Sequence, residues 1–227
     1  GNSIVSGGNY NVVVGDEAGT AITTGDENTF VGYAAGDAVT TASANTGVGY
    51  NALSENTSGT QNSAFGNKAG DAITTGDGNT AIGYFSLSST TTADNNTAVG
   101  VDSLGINSTG ADNTGIGKDA LRANTTASNN TAVGSNALTA NTTGTDNTAV
   151  GMGALDANTT TSYNTAVGKN ALGATVAEGN TAVGRESLSA NSSGADNTAV
   201  GKGSLQSNTT AANNSAFGKN ALFSNTT

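Results

Sequence analysis

One pattern of apolar and polar residues recurs along the whole chain. A short alternating segment, Asn-Thr-Ala-Val-Gly or a close variant, is followed by a small apolar cluster and then by a polar stretch rich in Asn and Thr. Successive copies start 17 residues apart, except for one interval of 16 residues. A short, fixed period predicts a repeat architecture. The thirteen copies begin at Asn11, Asn28, Asn45, Asn62, Asn79, Asn96, Asn113, Asn130, Asn147, Asn164, Asn180, Asn197 and Asn214.

Two positions of the repeat never vary, when positions are numbered from its first Asn. The consensus is N-T-A-V-G-x-x-A-L-x-A-N-T-T-G-x-D, with Asn always at position 1 and Gly always at position 5. The invariant Asn predicts a ladder of side-chain amides between stacked coils. The invariant Gly predicts a corner with positive φ, and the frequent Gly or Ala at position 15 predicts a second corner of the same kind.

The period also selects the fold. Seventeen residues are too few for a two-helix repeat or a propeller blade, and the chain is rich in poor helix formers. We therefore predict an all-β, parallel β-solenoid (β-roll) with one 17-residue coil per repeat, each coil having two short strands and two corners. Residues 1–227 form a single array, with thirteen coils from Asn11 and a partial N-terminal coil at 1–10, in which Val5 takes position 12. We expect a segment of a longer fibre, and a local irregularity at residues 175–179.

The apolar positions suggest how the coil is filled. Position 4 is always Val, Ile or Phe, which predicts that it supplies the deepest core residue, with position 2 on the same face. A large apolar side chain can stand at either position 9 or position 12, because position 12 is Ile or Val in the coils where position 9 is Gly. The two positions thus exchange side-chain volume from one coil to another. Close packing then predicts that both positions fill the same part of the core. The exchanging pairs are Gly19 with Ile22, Gly36 with Val39, and Gly70 with Ile73.

Position 3 is small and never charged. It is Ala or Gly in nearly every coil, with Val13 and Phe30 as exceptions. If it points away from position 4, it predicts a second buried surface between chains, and so a homotrimer around a fibre axis. The alternative is that Ala merely suits a tight coil.

Composition and charge narrow the range of functions. The net charge is −10 and the pI is about 4.1, which argues against a nucleic-acid partner. The chain has neither His nor Cys, and its Ser residues have no evident activating partner, so we expect no enzyme, no catalytic residues, no cofactor and no metal ligands. No apolar run is long enough to insert into a membrane.

Four recurring features are candidates for function. Carboxylates at positions 16 and 17 suggest calcium binding or, as we favour, turn formation: Asp77, Asp94, Asp112, Asp146 and Asp196. Position 6 suggests a receptor or glycan stripe or, as we favour, a solvated corner: Tyr33, Tyr50, Tyr84, Lys118, Lys169, Arg185, Lys202 and Lys219. Thr pairs at positions 13 and 14 suggest ice binding, or only β propensity: Thr125-Thr126 and Thr142-Thr143. Formal glycosylation sequons begin at Asn124, Asn141, Asn158, Asn208 and Asn225, although in a bacterial or phage protein these would only be ladder residues.

The repeat resembles two groups of known proteins. The Asn-Thr-Ala-Val-Gly strand with its Gly corner is similar to the head repeats of trimeric autotransporter adhesins. The longer pattern that begins at Asn130 is similar to the Asn/Thr-rich repeats of phage tail fibres. This resemblance implies a parallel β-roll wound as a trimer, in an extracellular fibre on a virion or a bacterial surface.

The expected function is therefore structural. The segment would be the shaft of a trimeric fibre that spaces or presents a receptor-binding tip, with its own copies as partners. A host-surface glycan or protein receptor would bind through other parts of the fibre. The alternatives are an ice-binding protein with a regular Thr array, or a carbohydrate-binding stalk that uses the three Tyr residues.

Overall fold

The computed structural model describes residues 8–175 and 177–226, which form two compact units, Gly1–Asp112 and Asn113–Thr227. The first unit contains six strands: β1 (Val12–Val14), β2 (Thr29–Val31), β3 (Thr46–Val48), β4 (Ser63–Phe65), β5 (Thr80–Ile82) and β6 (Thr97–Val99). The second contains seven: β7 (Thr114–Ile116), β8 (Thr131–Val133), β9 (Thr148–Val150), β10 (Thr165–Val167), β11 (Thr181–Val183), β12 (Thr198–Val200) and β13 (Ser215–Phe217).

Within each unit the strands pair in parallel and in the order of the sequence. Every strand covers positions 2–4 of its repeat, and equivalent positions face each other without a shift, as Thr131 faces Thr148. The 16-residue repeat keeps this register, because Thr165 still pairs with Thr181. Each unit is thus a parallel β-solenoid with one coil per repeat, which confirms the predicted fold class.

Each coil has one strand, where the sequence predicted two. The side of the coil that contains positions 7–9 cannot form an extended strand, because the residues at positions 7 and 9 have left-handed φ, as at Asn136 (57°) and Leu138 (54°). Main-chain hydrogen bonds nevertheless continue from coil to coil along this side: the N–H of Leu138 donates to the carbonyl of Ala154 at 2.9 Å. The prediction of a second strand was wrong because Leu rarely adopts left-handed φ, at a cost of roughly 1–2 kcal/mol.

The corners follow the Gly prediction at one end of the strand only. Gly at position 5 has positive φ in all thirteen coils, for example 136° at Gly134. A Cβ on Gly134 would lie 2.7 Å from the carbonyl oxygen of Gly151 in the next coil, so only Gly fits. The prediction for position 15 was wrong: Gly25 and Gly144 lack positive φ, which occurs instead at position 17, as in Asp146 (57°).

The two faces of the strand are opposite to those predicted. Position 3 points into the coil and is buried in every strand from β2 to β13, as at Ala132 and Ala149, each 0 % exposed. Position 4 points outward, and Val167 and Val183 are each 36 % exposed. Position 2 does share the outer face with position 4, so the alternation was predicted correctly. The coil interior is narrow and already holds the side chain of position 9, which leaves room only for a small residue at position 3.

The exchange of volume between positions 9 and 12 is confirmed. Ile22 and Ile73 at position 12 and Leu138 at position 9 are all 0 % exposed. A Cβ on Gly70 would lie 3.0 Å from Cδ1 of Ile73, so the two positions compete for one space. The exception Phe30 at position 3 is accommodated in the same way. Its ring fills the space beside Gly36, where an added Cβ on Gly36 would lie 2.5 Å from the ring.

Some predictions fall partly or wholly outside the described residues. The partial N-terminal coil predicted at 1–10 lies mostly there, because the structure describes only residues 8–10 of it. Val176, in the predicted irregular corner at 175–179, also lies outside. That residues 1–227 form a single array stays a prediction. Within 8–175 and 177–226 there is no helix long and apolar enough to cross a membrane.

Candidate functional site: the outer sheet face and the position 6 row

The outer sheet face, formed in each unit by positions 2 and 4, is the first candidate surface. Position 4 is always Val, Ile or Phe, position 2 is Thr or Ser except for Val12, and neither position is ever charged. Several position 4 side chains are at least 36 % exposed: Val14, Phe65, Ile82, Ile116, Val167, Val183 and Phe217. An uncharged row of Val, Ile and Phe on a solvent-facing strand is an exposed apolar patch of the kind that marks interaction surfaces in other proteins.

The hydroxyl groups at position 2 are also available on this face. In the part of the chain that the structure describes, no hydrogen bond within the chain involves the side-chain oxygen of Thr131, Thr148 or the other position 2 residues. The face therefore offers alternating rows of hydroxyl and methyl groups. Sequence reasoning missed it, since the face assignment was inverted; the absence of charge at both positions was the signal that could have revealed it.

The invariant Asn residues are structural and lie inside the coils. The side-chain oxygen of Asn130 accepts from the main-chain N–H of Asn147 at 3.0 Å and from its side-chain amide at 3.2 Å. The same pattern links Asn28 to Asn11 at 2.8 and 3.1 Å. The predicted Asn ladder at position 1 is thus confirmed, and each amide also satisfies a main-chain carbonyl of its own coil.

The formal sequons lie in a second ladder at position 12. The amide of Asn141 donates to the side-chain oxygen of Asn124 at 3.0 Å, and Asn158 donates to Asn141 at 3.1 Å. Asn124, Asn141, Asn158 and Asn208 are each 0 % exposed. Their amide groups are engaged inside the coil, so modification of these four residues is incompatible with the folded coil.

The carboxylates at positions 16 and 17 act in turns. Asp77 at position 16 accepts the main-chain N–H of Thr60 at 2.6 Å, and Asp94 accepts that of Asp77 at 2.7 Å. At position 17, Asp112, Asp146 and Asp196 have left-handed φ between 55° and 57°. These contacts support the turn interpretation. Among the described residues no three acidic side chains come together in a group that could hold a metal ion.

The Thr pairs at positions 13 and 14 lie in a bend. The hydroxyl of Thr125 donates to the carbonyl of Thr142 at 3.0 Å, and Thr142 donates to Thr159 at 2.9 Å, so the position 13 hydroxyls bond from coil to coil. Thr126 and Thr143 at position 14 are exposed. The regular array of hydroxyl groups on a strand is therefore at position 2, eleven residues earlier in the repeat than the predicted array.

The position 6 row begins in the first unit with aromatic residues. Tyr33 and Tyr50 stack with ring centroids 5.3 Å apart, and both are more than 40 % exposed. Tyr84 is also exposed, but Asn67 occupies position 6 in the coil between Tyr50 and Tyr84. A hydrogen bond with the Glu17 carboxylate raises the pKa of Tyr33. The structure therefore brings together two of the three Tyr residues proposed as a stacking platform.

In the second unit the same row carries cations. Lys169, Arg185, Lys202 and Lys219 lie on four successive coils and are all exposed. Lys118 lies at the start of this unit, 3.4 Å from the Asp119 carboxylate. Position 6 is thus aromatic in three coils of the first unit and cationic in five coils of the second.

The described residues enclose no pocket, which leaves surfaces and rows as the candidate sites. No protein-family model, no curated protein and no solved structure matches this chain.

Proposed function

We propose that this chain is a structural segment of an extracellular homotrimeric fibre, on a phage tail or a bacterial surface, which spaces or presents a receptor-binding tip. The observation that carries the proposal is the outer sheet face. Its positions 2 and 4 are uncharged in every coil, and position 4 carries in each a β-branched or aromatic side chain that is at least partly exposed. Burial of such a row between chains removes apolar surface from water, which stabilises association.

The outer face replaces position 3 as the contact surface of the proposed trimer. Position 3 is filled by its own coil, so it cannot contact a second chain. A solvent-facing strand position would ordinarily tolerate Lys or Glu, and positions 2 and 4 carry neither in any coil. Covering a half-exposed Val contributes roughly 0.5–1 kcal/mol, and the contribution grows with each coil that is added.

Resistance to deformation follows from the bonds between coils. In each unit the strand, the position 1 Asn ladder and the position 13 hydroxyls bond to the adjacent coil. In the second unit the position 12 Asn ladder does so as well. Buried, mutually bonded amides are costly to separate because every broken bond leaves an unsatisfied polar group. A chain of this kind suits the role of a spacer that carries load and resists proteolysis.

A spin label tests the location of the contact. Because the chain has no Cys, Val150→Cys and Thr143→Cys each give a single attachment point, one on the outer face and one on the bend. We expect dipolar broadening from the label at 150 and none from the label at 143, because three copies of residue 150 approach one axis. Broadening at neither position, or at 143 alone, would refute an interface on this face.

Ice binding is the second candidate, and the free hydroxyls at position 2 favour it. In-register rows of Thr and Val, repeated about every 4.8 Å, form the uncharged Thr face that an ice-binding protein needs. The two functions compete for one surface. Thermal hysteresis in a monomeric preparation, abolished by Thr148→Lys and retained by Thr143→Lys, would establish ice binding in place of the fibre.

A further inference from the structure

Four cations lie in a line on the second unit. Lys169, Arg185, Lys202 and Lys219 occupy position 6 of successive coils, and each side chain is exposed. Among the described residues, Arg185 alone of these four has a carboxylate partner, the Glu186 side chain at 2.9 Å. These four residues, here called the cationic row, contain more than half of the seven basic residues of the chain.

Main-chain bonds on both sides of position 6 fix the spacing of the cationic row. On one side, the N–H of Gly184 donates to the carbonyl of Val167 at 2.7 Å. On the other, the N–H of Glu186 donates to the carbonyl of Lys169 at 2.9 Å. Since adjacent strands lie about 4.8 Å apart, the four Cα atoms span roughly 14 Å in three equal steps.

The fold does not require cations at position 6. Other coils place Asp16, Asn67, Val101, Ser135 or Met152 there, with the same strand and the same Gly corner. Stacked like charges repel each other, so four in succession oppose folding slightly. The stability of the coil therefore does not account for the arrangement.

We infer that the cationic row binds an acidic polysaccharide, a linear glycan that bears carboxylate or sulfate groups along its length. A row one residue wide matches a chain of evenly repeated anions, and each Lys or Arg forms a charge-assisted hydrogen bond with one anionic group. This inference goes beyond the proposed structural role and does not depend on the number of chains in the fibre.

The surroundings of the row favour a glycan over nucleic acid. Asn170 and Asn220 follow at position 7 with amides for sugar hydroxyls. A duplex needs a broad basic patch, whereas this chain has a net charge of −10.

Binding to dextran sulfate, with uncharged dextran of the same length as the reference, tests the inference on the whole chain. The test variant carries Lys169→Gln, Arg185→Gln and Lys202→Gln. The control carries Lys68→Gln, Lys118→Gln and Arg122→Gln, which removes the same number of charges elsewhere. We expect binding to dextran sulfate alone, weakened about tenfold in the test variant and unchanged in the control, with circular dichroism confirming that both variants fold.

Three outcomes would overturn the inference. Absence of binding at low salt would leave the row without an anionic ligand. An equal loss in the two variants would assign binding to net charge. Equal affinity for duplex DNA or for phosphatidylserine vesicles would show that the row does not select a glycan. The mass of the assembly is measured separately, so failure here and failure of the trimer are distinguishable.

Discussion

The side chains of Asn130 and Asn141 donate to one acceptor, the carbonyl oxygen of Gly144, at 2.9 Å each. The first residue belongs to the ladder at position 1 and the second to the ladder at position 12, so the two ladders meet within this coil. Asn147 and Asn158 repeat the arrangement at Thr161, at 2.8 and 3.0 Å. The corner at position 15 is thus held by amides from both sides, although its residues lack positive φ.

Removal of one ladder amide should destabilise the second unit strongly. Asn130→Ala removes the bond to Gly144 and leaves the main-chain N–H and the amide of Asn147 without their acceptor. We expect a loss of about 2–4 kcal/mol in the free energy of unfolding, measured by urea denaturation. Thr143→Ala on the exposed bend serves as the control and should change stability by less than about 0.5 kcal/mol. Equal effects would contradict the ladder's role.

The exchange between positions 9 and 12 predicts coupling between two residues of the first unit. Gly70→Leu alone should cost about 1–3 kcal/mol, because the new side chain meets Ile73 and Leu53. Adding Ile73→Asn creates the pair found in most coils and should recover much of that loss. A double-mutant cycle measures the coupling, and purely additive effects would show that the two positions do not share one space.

The inverted faces predict opposite sensitivities at two adjacent residues. Ala149→Val adds volume inside the coil and should destabilise the second unit by about 1–3 kcal/mol. Val150→Thr changes an outward side chain of nearly the same shape and should be almost neutral in a dissociated chain. Denaturation of both variants below the concentration of assembly makes the comparison. A neutral Ala149→Val together with a costly Val150→Thr would restore the original face assignment.

Asp71 predicts a dependence of stability on pH. Burial raises the pKa of this carboxyl to about 6, against the opposing effect of Lys68. Because the folded pKa exceeds the unfolded value of about 3.9, the folded state binds the proton more tightly. This contribution to stability is complete below about pH 4 and is lost as pH rises through about 6.

Asp71→Asn should remove the loss of folding stability that occurs as the pH rises. The variant should melt at a higher temperature than the wild type at pH 8, and the difference should vanish below pH 4. Asp16→Asn, which changes an exposed carboxylate of the same unit, controls for net charge. A constant difference across the whole pH range would show that Asp71 acts through packing and not through its proton.

The sequence predicted those features that depend on an invariant residue or on conserved volume. Three features follow from the chemistry of single positions. They are the Asn ladder, the positive-φ corner at position 5, as at Gly134, and the exchange of side-chain volume between positions 9 and 12, as at Gly70 and Ile73. The faces did not follow in this way, because a period of two identifies alternate positions without saying which set is inside. Val is more apolar than Ala, but the narrow coil accepts only Ala. Left-handed φ at Leu138 and Asn136 was also missed, since neither residue requires it.

Some of the candidate surfaces could likewise be predicted from the sequence, and others could not. The alignment of position 6 follows from the repeat, so the row containing Lys169 and Arg185 was predictable, as were the turn roles of Asp77 and Asp146. The outer sheet face was not identified, because its Val150 and Thr148 were assigned to the core. Their side chains point outward because of the direction of their Cα–Cβ bonds, and that direction depends on how the whole coil is wound.

Sedimentation equilibrium of the purified chain tests the central claim, that these units associate as a homotrimer through the outer sheet face. We predict a mass three times 21.9 kDa. The introduction of Val150→Glu should reduce it to that of one chain, while Thr143→Glu should leave it unchanged. A wild-type mass of 21.9 kDa over the full range of concentration would contradict the trimer.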